Sequence, residues 1–179
     1  MKRIPIALEW DVATQRYRWA FPWLADVDAL ATRKWDGHCC LVAGGKLWKR
    51  HKLVAGEPAP AGWICSHGKF GWRPVEVSPA PEWDAVREIV TDAAWDNVTC
   101  ELVGPGIRGN PEGCAFDYEL HEHGVDQLMD CPGDPHEVVA WLKTQPIEGI
   151  VWHGMDGRMA KLTHATIGST RPAAPEAGR

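Results

Sequence analysis

The sequence has no apolar run approaching the ~20 residues that a membrane-spanning helix needs. Its amino terminus, Met1-Lys2-Arg3-Ile4-Pro5, carries two basic residues, but Glu9 and Asp11 follow soon after, so the apolar centre of a signal peptide is missing. None of the six cysteines, at 39, 40, 65, 100, 114 and 131, forms a CxxC pair, which argues against a zinc ribbon or a thioredoxin-like motif. These absences predict a cytosolic protein with reduced thiols and no membrane partner, its cysteines serving as small buried hydrophobes. No internal repeat is visible. Positive charge is not in excess either: the formal net charge is −5. That argues against a chain that coats nucleic acid non-specifically, but it leaves room for one local basic cleft.

Tyrosine and phenylalanine are scarce, two and three residues, whereas there are eleven tryptophans. Tryptophan combines a large apolar body with one N–H donor, so some belong to the core. A few could line a groove that stacks bases. With 179 residues, 45% apolar and 24% charged, the chain is long enough to bury a core without disulfides. The expected organisation is one domain over residues 1–167 and a flexible Ser/Thr/Pro/Ala/Gly-rich tail over 168–179.

Residues 1–30 show no clear period, and a short strand and a helical turn both fit. Residues 38–50 read as two strands meeting at Gly44-Gly45. The segment 56–62 reads as a Pro/Gly-rich loop. Trp83, Val86, Ile89, Val90 and Ala93 recur at helical spacing after Pro81, which predicts a helix over 81–95. Strands are expected at 98–103 and 114–120. A second helix is expected from Asp134 as N-cap, through Pro135, Val138, Val139, Trp141 and Leu142, ending before Pro146. Two more strands follow at 148–153 and 158–163, turning at Met155-Asp156-Gly157. Hairpins outnumber βαβ crossovers, so the fold class is α+β with mainly antiparallel sheets flanked by helices.

Four segments carry chemistry. The first is Lys34-Trp35-Asp36-Gly37. A lysine that attacks a phosphate must lose its proton, although a free lysine has a pKa of about 10.4; partial burial and nearby cations favour the neutral amine. Arg33 and Trp35 offer a cation and an apolar wall. Asp36 could hold a metal or orient the amine, and Gly37 lets the backbone pass close to a ligand. The second is Cys100-Glu101-Leu102-Val103-Gly104-Pro105-Gly106, followed by Ile107-Arg108-Gly109-Asn110. An acid inside an apolar strand is costly unless it is paired, hydrogen-bonded or metal-bound. The third, Glu148-Gly149-Ile150-Val151-Trp152, places another acid at the start of an apolar strand, where it suits a metal ligand. The fourth, Met159-Ala160-Lys161-Leu162-Thr163, places a lysine inside an apolar strand, where a buried anion such as phosphate is its natural partner. Each alone also reads as an ordinary turn, strand edge or snorkelling lysine. The His121-Glu122-His123 cluster puts two histidines on one strand face. No Cys/His pair at ligand spacing accompanies them, so a solvated loop is expected there.

In this order the four segments resemble the motif series of the covalent nucleotidyltransferases, the ATP-dependent DNA and RNA ligases and mRNA capping enzymes. The run ELVGPGIRGN, residues 101–110, is similar to the matching segment of phage T4-type RNA ligases. GHCCLV at 37–42 with LWKR at 47–50 resembles a family of RNA 5′-to-3′ ligases. The resemblance covers about 31–166. It implies an ATP-grasp-like nucleotidyltransferase domain that is an ATP-dependent RNA ligase. Lys34 is then the nucleophile that takes AMP from ATP and passes it to an RNA 5′-phosphate, after which a 3′-hydroxyl displaces AMP. Thr32 and Arg33 would line the base pocket, and Asp36 and Gly37 complete the first motif. Arg50 would contact the ribose and RNA end, Glu101 the ribose and metal, Glu148 the metal and Lys161 the α-phosphate. Asp36, Glu101 and Glu148 would hold Mg²⁺ or Mn²⁺.

The sequence departs from that pattern in places. His38 stands where Ser or Thr is usual. The last motif has Lys161 but no second lysine two residues away, and Lys46, Lys49 and His164 are the substitutes to consider. No aromatic residue stands at Val98, Thr99 or Cys100 to stack on adenine. The chain ends at 179, which the resemblance reads as a minimal catalytic core. RNA contacts are expected from Lys49, Arg50, Lys52, Arg73 and Arg108, with Trp48, Lys69 and Trp72 as further candidates. The resemblance further implies RNA with 5′-phosphate and 3′-hydroxyl ends, a kinase or phosphatase that prepares those ends, and a bacterial or phage-infected host cytosol. A DNA nick ligase, a capping guanylyltransferase and an inactive nucleotide- or RNA-end-binding protein are the rival readings.

Overall fold

The computed structural model describes residues 3–54, 60–65, 70–75, 81–86 and 89–174. Within them the strands run β1 (Leu8–Asp11), β2 (Arg16–Trp19), β3 (Leu30–Lys34), β4 (His38–Ala43), β5 (Lys46–Lys52), β6 (Ile64–Cys65), β7 (Phe70–Pro74), β8 (Val98–Val103), β9 (Glu119–Glu122), β10 (Gly149–His153) and β11 (Met159–Thr163). The α-helices are α1 (Pro81–Ala85) and α2 (Pro135–Leu142). Every ladder between these strands is antiparallel. The fold is therefore α+β and built mainly of antiparallel sheets, as its hairpin signals predict. Among the described residues, no helix is long and apolar enough to cross a membrane.

The chain divides into two compact bodies, one from Asp36–His123 and one from Ile4–Trp35 with Gly124–Glu176. The first is organised by a six-stranded sheet in the order β6-β7-β5-β4-β8-β9. Side chains alternate across it. Cys40, Val42, Leu47, Cys100, Leu102 and Leu120 fall on one face and join Trp83, Val86 and Val90 in a buried cluster. Cys39, Arg50 and Glu101 alternate to the opposite face. The β4–β5 hairpin turns at Gly44-Gly45, both with positive φ, as their sequence predicts.

The second body has the sheet β11-β10-β3 and the hairpin β1–β2. Its core gathers Ala7, Leu8, Trp23, Leu24, Val138, Val139, Leu142, Ile150, Trp152, Ala160 and Leu162. Helix α2 starts as predicted: the Asp134 carboxylate accepts from the amides of His136 and Glu137, and Pro135 occupies the first turn. The residues 1–30 hold both elements that fitted, a strand hairpin and a 3₁₀ turn at Pro22–Ala25.

Three expectations need correction. The helix expected over 81–95 is one short α-turn, α1, followed by 3₁₀ turns at Ile89–Thr91 and Ala93–Trp95. Asp92 separates the two 3₁₀ turns: its side chain accepts from the Ala94 amide and its carbonyl from the Trp95 amide. Burial of Trp83, Val86 and Val90 is kept without a continuous helix. The strand expected at 114–120 instead begins at Glu119, because Asn110 binds both the amide and the carbonyl of Cys114 and holds that stretch as a loop. Strands β3, β6 and β7 were not anticipated. Residues 56–59 of the Pro/Gly-rich loop, 87–88 of the 81–95 segment and 175–179 of the tail lie outside the described residues.

His164 follows β11 and is 5% exposed. Its Nε2 lies 3.3 Å from the Gln145 carbonyl and its Nδ1 2.9 Å from the Ser169 hydroxyl, contacts that a neutral ring satisfies with Nε2–H donating and Nδ1 accepting. Burial foremost, and the Arg171 charge as well, hold its pKa below the usual 6.5, against the pull of the Gln145 carbonyl. The unfolded ring takes up a proton more readily than the folded one. This contribution to stability is therefore present above about pH 6.5 and is lost as pH falls below it. The denaturant midpoint should fall between pH 7.5 and 5.5, and fall less in His164→Gln. Equal losses in both proteins would remove His164 as the cause.

Candidate functional site

Strand β3 ends at Lys34, which pairs with Gly149, the first residue of β10. That register brings Glu148 beside the lysine, and Lys34 Nζ donates to Glu148 Oε2. Their side chains are 24% and 26% exposed, so the ion pair is largely shielded. Gly149 permits the close sheet packing here: a Cβ would lie 2.1 Å from the Leu162 carbonyl oxygen. Two of the singled-out residues, 114 positions apart, thus meet.

Alternation places Thr32, Lys34 and Lys161 on the sheet face opposite Ile150, Trp152, Ala160 and Leu162. Thr32 and Lys161 are both opposite Val151, one on each flanking strand, so Lys34 and Lys161 lie diagonally across β10. Thr32 is 1% exposed. Its hydroxyl donates to the Val151 carbonyl at 3.1 Å, and His153 Nε2 lies 3.1 Å from the Thr32 hydroxyl oxygen. Arg33 alternates to the other face. Its guanidinium sits 3.6 Å over the Trp35 ring, and Trp35 Nε1 donates to Asp126 Oδ2 at 2.6 Å. His164 does not replace the absent second lysine, because it is buried with both nitrogens engaged.

The first body organises the other acids. Glu101 occupies an apolar strand and is 9% exposed. Its cost is offset by two contacts: Oε1 accepts from the Gly37 amide at 3.1 Å, and Oε2 lies 3.0 Å from His123 Nε2. His123 Nδ1 in turn faces Thr99 Oγ1 at 3.2 Å. Gly37 is packed so closely that a Cβ would meet the Leu102 carbonyl oxygen at 2.1 Å. Asp36 donates its amide to Glu112 Oε1 at 2.8 Å, and its Oδ1 lies 2.9 Å from Arg108 Nε as an ion pair. Arg108 has φ 50, a left-handed conformation held within the 3₁₀ turn that follows Gly104-Pro105-Gly106.

Of the expected RNA contacts, Arg50 lies on β5 with its guanidinium 3.9 Å from the Phe70 ring centroid. Lys49 and Arg73 are direct cross-strand partners, and Lys49 Nζ sits 5.2 Å from the Trp83 ring. Lys52 is exposed at the end of β5, and Lys46 is exposed at its start. Trp48 donates its indole to the Ala43 carbonyl. Trp72 is 6% exposed, a core side chain rather than an open stacking platform. Lys69 lies outside the described residues.

The solvated loop expected at 121–123 is instead the end of β9 and its continuation. His121 pairs with Glu101 in register, and the His123 amide donates to the Thr99 carbonyl. His123 was thus missed as a partner of Glu101, as were Glu112 for Asp36 and Asp126 for Trp35. The only sequence signal for His123 was its shared parity with His121 on a strand next to β8. Burial raises the Cys100 thiol to about 12 and lifts Cys40 well above the usual range. Both therefore behave as the buried hydrophobes expected of them.

The family model for RNA ligase 1 matches residues 83–177, just over half of the chain. That stretch contains Glu101, Arg108, Glu148 and Lys161. RNA ligase 1 of Pongo abelii is 38% identical over 106 residues, covering 55% of this chain and 30% of that protein. The rat protein of the same name, from Rattus norvegicus, is 37% identical over 82 residues, covering 41% of this chain and 25% of its own. RNA ligase 1 of Danio rerio is 31% identical over 84 residues, covering 42% and 26%. The match thus spans less than a third of the length of these relatives.

Proposed function

This chain belongs to the RNA ligase 1 family, and from that premise we propose that it joins RNA ends with ATP through an AMP adduct on Lys34. The observation that carries the proposal is the Lys34–Glu148 contact, with Lys161 on the same sheet face. An amine nucleophile needs an acceptor for its proton and a cationic neighbour for the phosphate it attacks. Glu148 and Lys161 meet those two needs. The fold in this reading is an ATP-grasp-like nucleotidyltransferase domain.

In the first step the neutral Lys34 amine attacks the α-phosphorus of ATP. The N–P bond forms, the bond to pyrophosphate breaks, and the amine proton leaves. In the second, an oxygen of an RNA 5′-phosphate attacks the same phosphorus and the lysine leaves, regaining its proton. In the third, an RNA 3′-hydroxyl attacks the activated 5′-phosphate, the phosphodiester forms and AMP departs. Thr32 and Arg33 are assigned to the base, Arg33 through its backbone because its side chain alternates to the face away from Lys34; Arg50 and Glu101 are assigned to the ribose, and Lys161 to the α-phosphate. Asp36 and Gly37 set the backbone after the nucleophile.

The carboxylates assigned to Mg²⁺ or Mn²⁺ are Asp36, Glu101 and Glu148, hard oxygen donors of the type these ions favour. Such an ion supplies charge neutralisation on the phosphates. Asp36 and Glu148 meet Arg108 and Lys34 instead. Exchange of those cations for a metal–nucleotide complex would release the Lys34 amine. Lys49, Arg50, Lys52, Arg73 and Arg108 are the proposed contacts to RNA with 5′-phosphate and 3′-hydroxyl ends. A kinase or phosphatase that prepares such ends is the proposed partner, and the cytosol of a bacterium or phage-infected cell the proposed location.

The test is intact-mass spectrometry after incubation with ATP and Mg²⁺, followed by peptide mapping. A gain of one AMP, mapped to Lys34 and reversed by pyrophosphate, is the expected result. A gain with GTP alone would favour a capping-type enzyme, and sealing only of nicked DNA a DNA ligase. A folded chain that gains no mass with any nucleotide would overturn the enzyme reading in favour of an end-binding protein.

A further inference from the structure

Cys39, Glu101 and His123 converge on the first body's sheet, with one donor atom from each within 4.8 Å of the others. Three strands or their continuations supply them. Cys39 on β4 is directly opposite Glu101 on β8, and Glu101 is directly opposite His121 on β9. His123, two residues further, shares the parity of His121 and is anchored by its amide to Thr99. The placement comes from strand register rather than from a loop.

We propose that these three side chains form a site for a transition-metal dication of the Zn²⁺ class. A thiolate, an imidazole and a carboxylate are the donor mixture that Zn²⁺ accepts, whereas Mg²⁺ requires oxygen donors. Bond lengths of about 2.0–2.3 Å put tetrahedral ligand atoms about 3.5 Å apart. Small side-chain adjustments therefore suffice from the observed spacing.

The surroundings support the same reading. Glu101 Oε1 is held by the Gly37 amide, which leaves Oε2 toward His123. With Nδ1 donating to Thr99 Oγ1, Nε2 becomes the lone-pair nitrogen. In the other neutral tautomer the Thr99 hydroxyl donates to Nδ1 and Nε2–H donates to Glu101 Oε2 with no metal. That metal-free hydrogen bond from His123 to Glu101 is the rival that the test must separate. Three protein ligands leave one tetrahedral position for a water or ligand oxygen.

This site goes beyond the ligase reading, although both use Glu101, and its test needs neither ATP nor RNA. The tag-free full chain would be stripped with chelator, loaded with Zn²⁺ alone and desalted for metal analysis. Co²⁺ loading would be followed by its thiolate charge-transfer absorption. One ion per chain is expected, bound at least tenfold more weakly in Cys39→Ser and His123→Ala and unchanged in Cys114→Ser. Retention of no ion, or equal retention in all variants, would overturn the proposal. Displacement by excess Mg²⁺ would overturn it too.

A protection experiment on the unaltered chain covers the case in which a variant fails to fold. Bound Zn²⁺ should slow alkylation of Cys39 at least tenfold relative to Cys114. Cys100 and Cys131 are set apart in that experiment because burial raises each thiol to about 12. Equal slowing at Cys39 and Cys114, or none, leaves His123 as a hydrogen-bond partner of Glu101 and no metal site. AMP-adduct formation by the stripped chain with Mg²⁺ then reads the ligase proposal separately.

Discussion

Lys34→Arg is expected to leave the chain folded and to reduce the AMP adduct below detection. Arginine keeps the positive charge that Glu148 faces, so the largely shielded carboxylate is not left without a cation. A guanidinium, however, is not deprotonated in proteins and offers no amine lone pair to an electrophilic phosphorus. The substitution separates charge from nucleophilicity, which Lys34→Ala cannot do. Alanine would also remove the Glu148 partner, at a cost between the ~1 kcal/mol of surface pairs and the ~3 kcal/mol of buried ones. The lysine is also not required for the last chemical step. RNA supplied with AMP already on its 5′-phosphate should therefore still be sealed by Lys34→Arg, while sealing of 5′-phosphate RNA with ATP is lost. A Lys34→Arg chain that gains AMP like the unaltered protein would place the nucleophile elsewhere. Lys161, on the same sheet face, would be the first residue to examine.

What the sequence disclosed of this fold is what short stretches encode. Gly44-Gly45 marks the β4–β5 hairpin through positive φ, and Asp134-Pro135 marks α2 through capping chemistry. Asp156-Gly157 marks the turn before β11. Strand β3 was not legible, because Leu-Ala-Thr-Arg-Lys has no apolar alternation and is held by β10, more than a hundred residues later. The helix expected over 81–95 had the right periodicity for burial, yet Asp92 draws the following amides into separate turns. Apolar spacing tells which residues go inside more securely than it tells the hydrogen bonding that takes them there.

The functional residues divide the same way. Lys34, Glu101, Glu148 and Lys161 stand out singly because a charge in or beside an apolar strand demands a partner. Which partner each has is non-local. Lys34 and Glu148 meet through the β3–β10 register, and Glu101 finds His123 through the β8–β9 register. His123 looked like solvated sequence because its thiol and carboxylate neighbours come from β4 and β8, not from a ligand-spaced motif. The same sheet that hides Cys40 and Cys100 in its core presents Cys39 beside Glu101, a one-residue difference in parity that composition cannot express.

Gly149→Ala is expected to destabilise the protein by roughly 3 kcal/mol or more and to remove AMP-adduct formation at temperatures where the chain still folds. The new Cβ would sit 2.1 Å from the Leu162 carbonyl oxygen, 2.9 Å from the Thr163 Cα and 3.0 Å from the Leu162 carbonyl carbon. All three are backbone atoms of β11, so no side-chain rotation relieves the overlap. Either β10 and β11 separate, at the cost of ladder hydrogen bonds, or β10 shifts at its first residue. That first residue pairs with Lys34, and the residue before it is Glu148. The displacement therefore falls on the contact proposed to ready the nucleophile. Gly133→Ala is the matched control: nothing lies within 4 Å of its Cβ position, and no positive φ opposes a side chain. It should be neutral, or stabilising by up to about 1 kcal/mol through a less flexible unfolded chain. Denaturant midpoints and adduct yields of the two variants, measured side by side, check the argument. A Gly149→Ala protein as stable and as readily adenylylated as Gly133→Ala would mean that the close approach of β10 to β11 does not set the Lys34–Glu148 geometry.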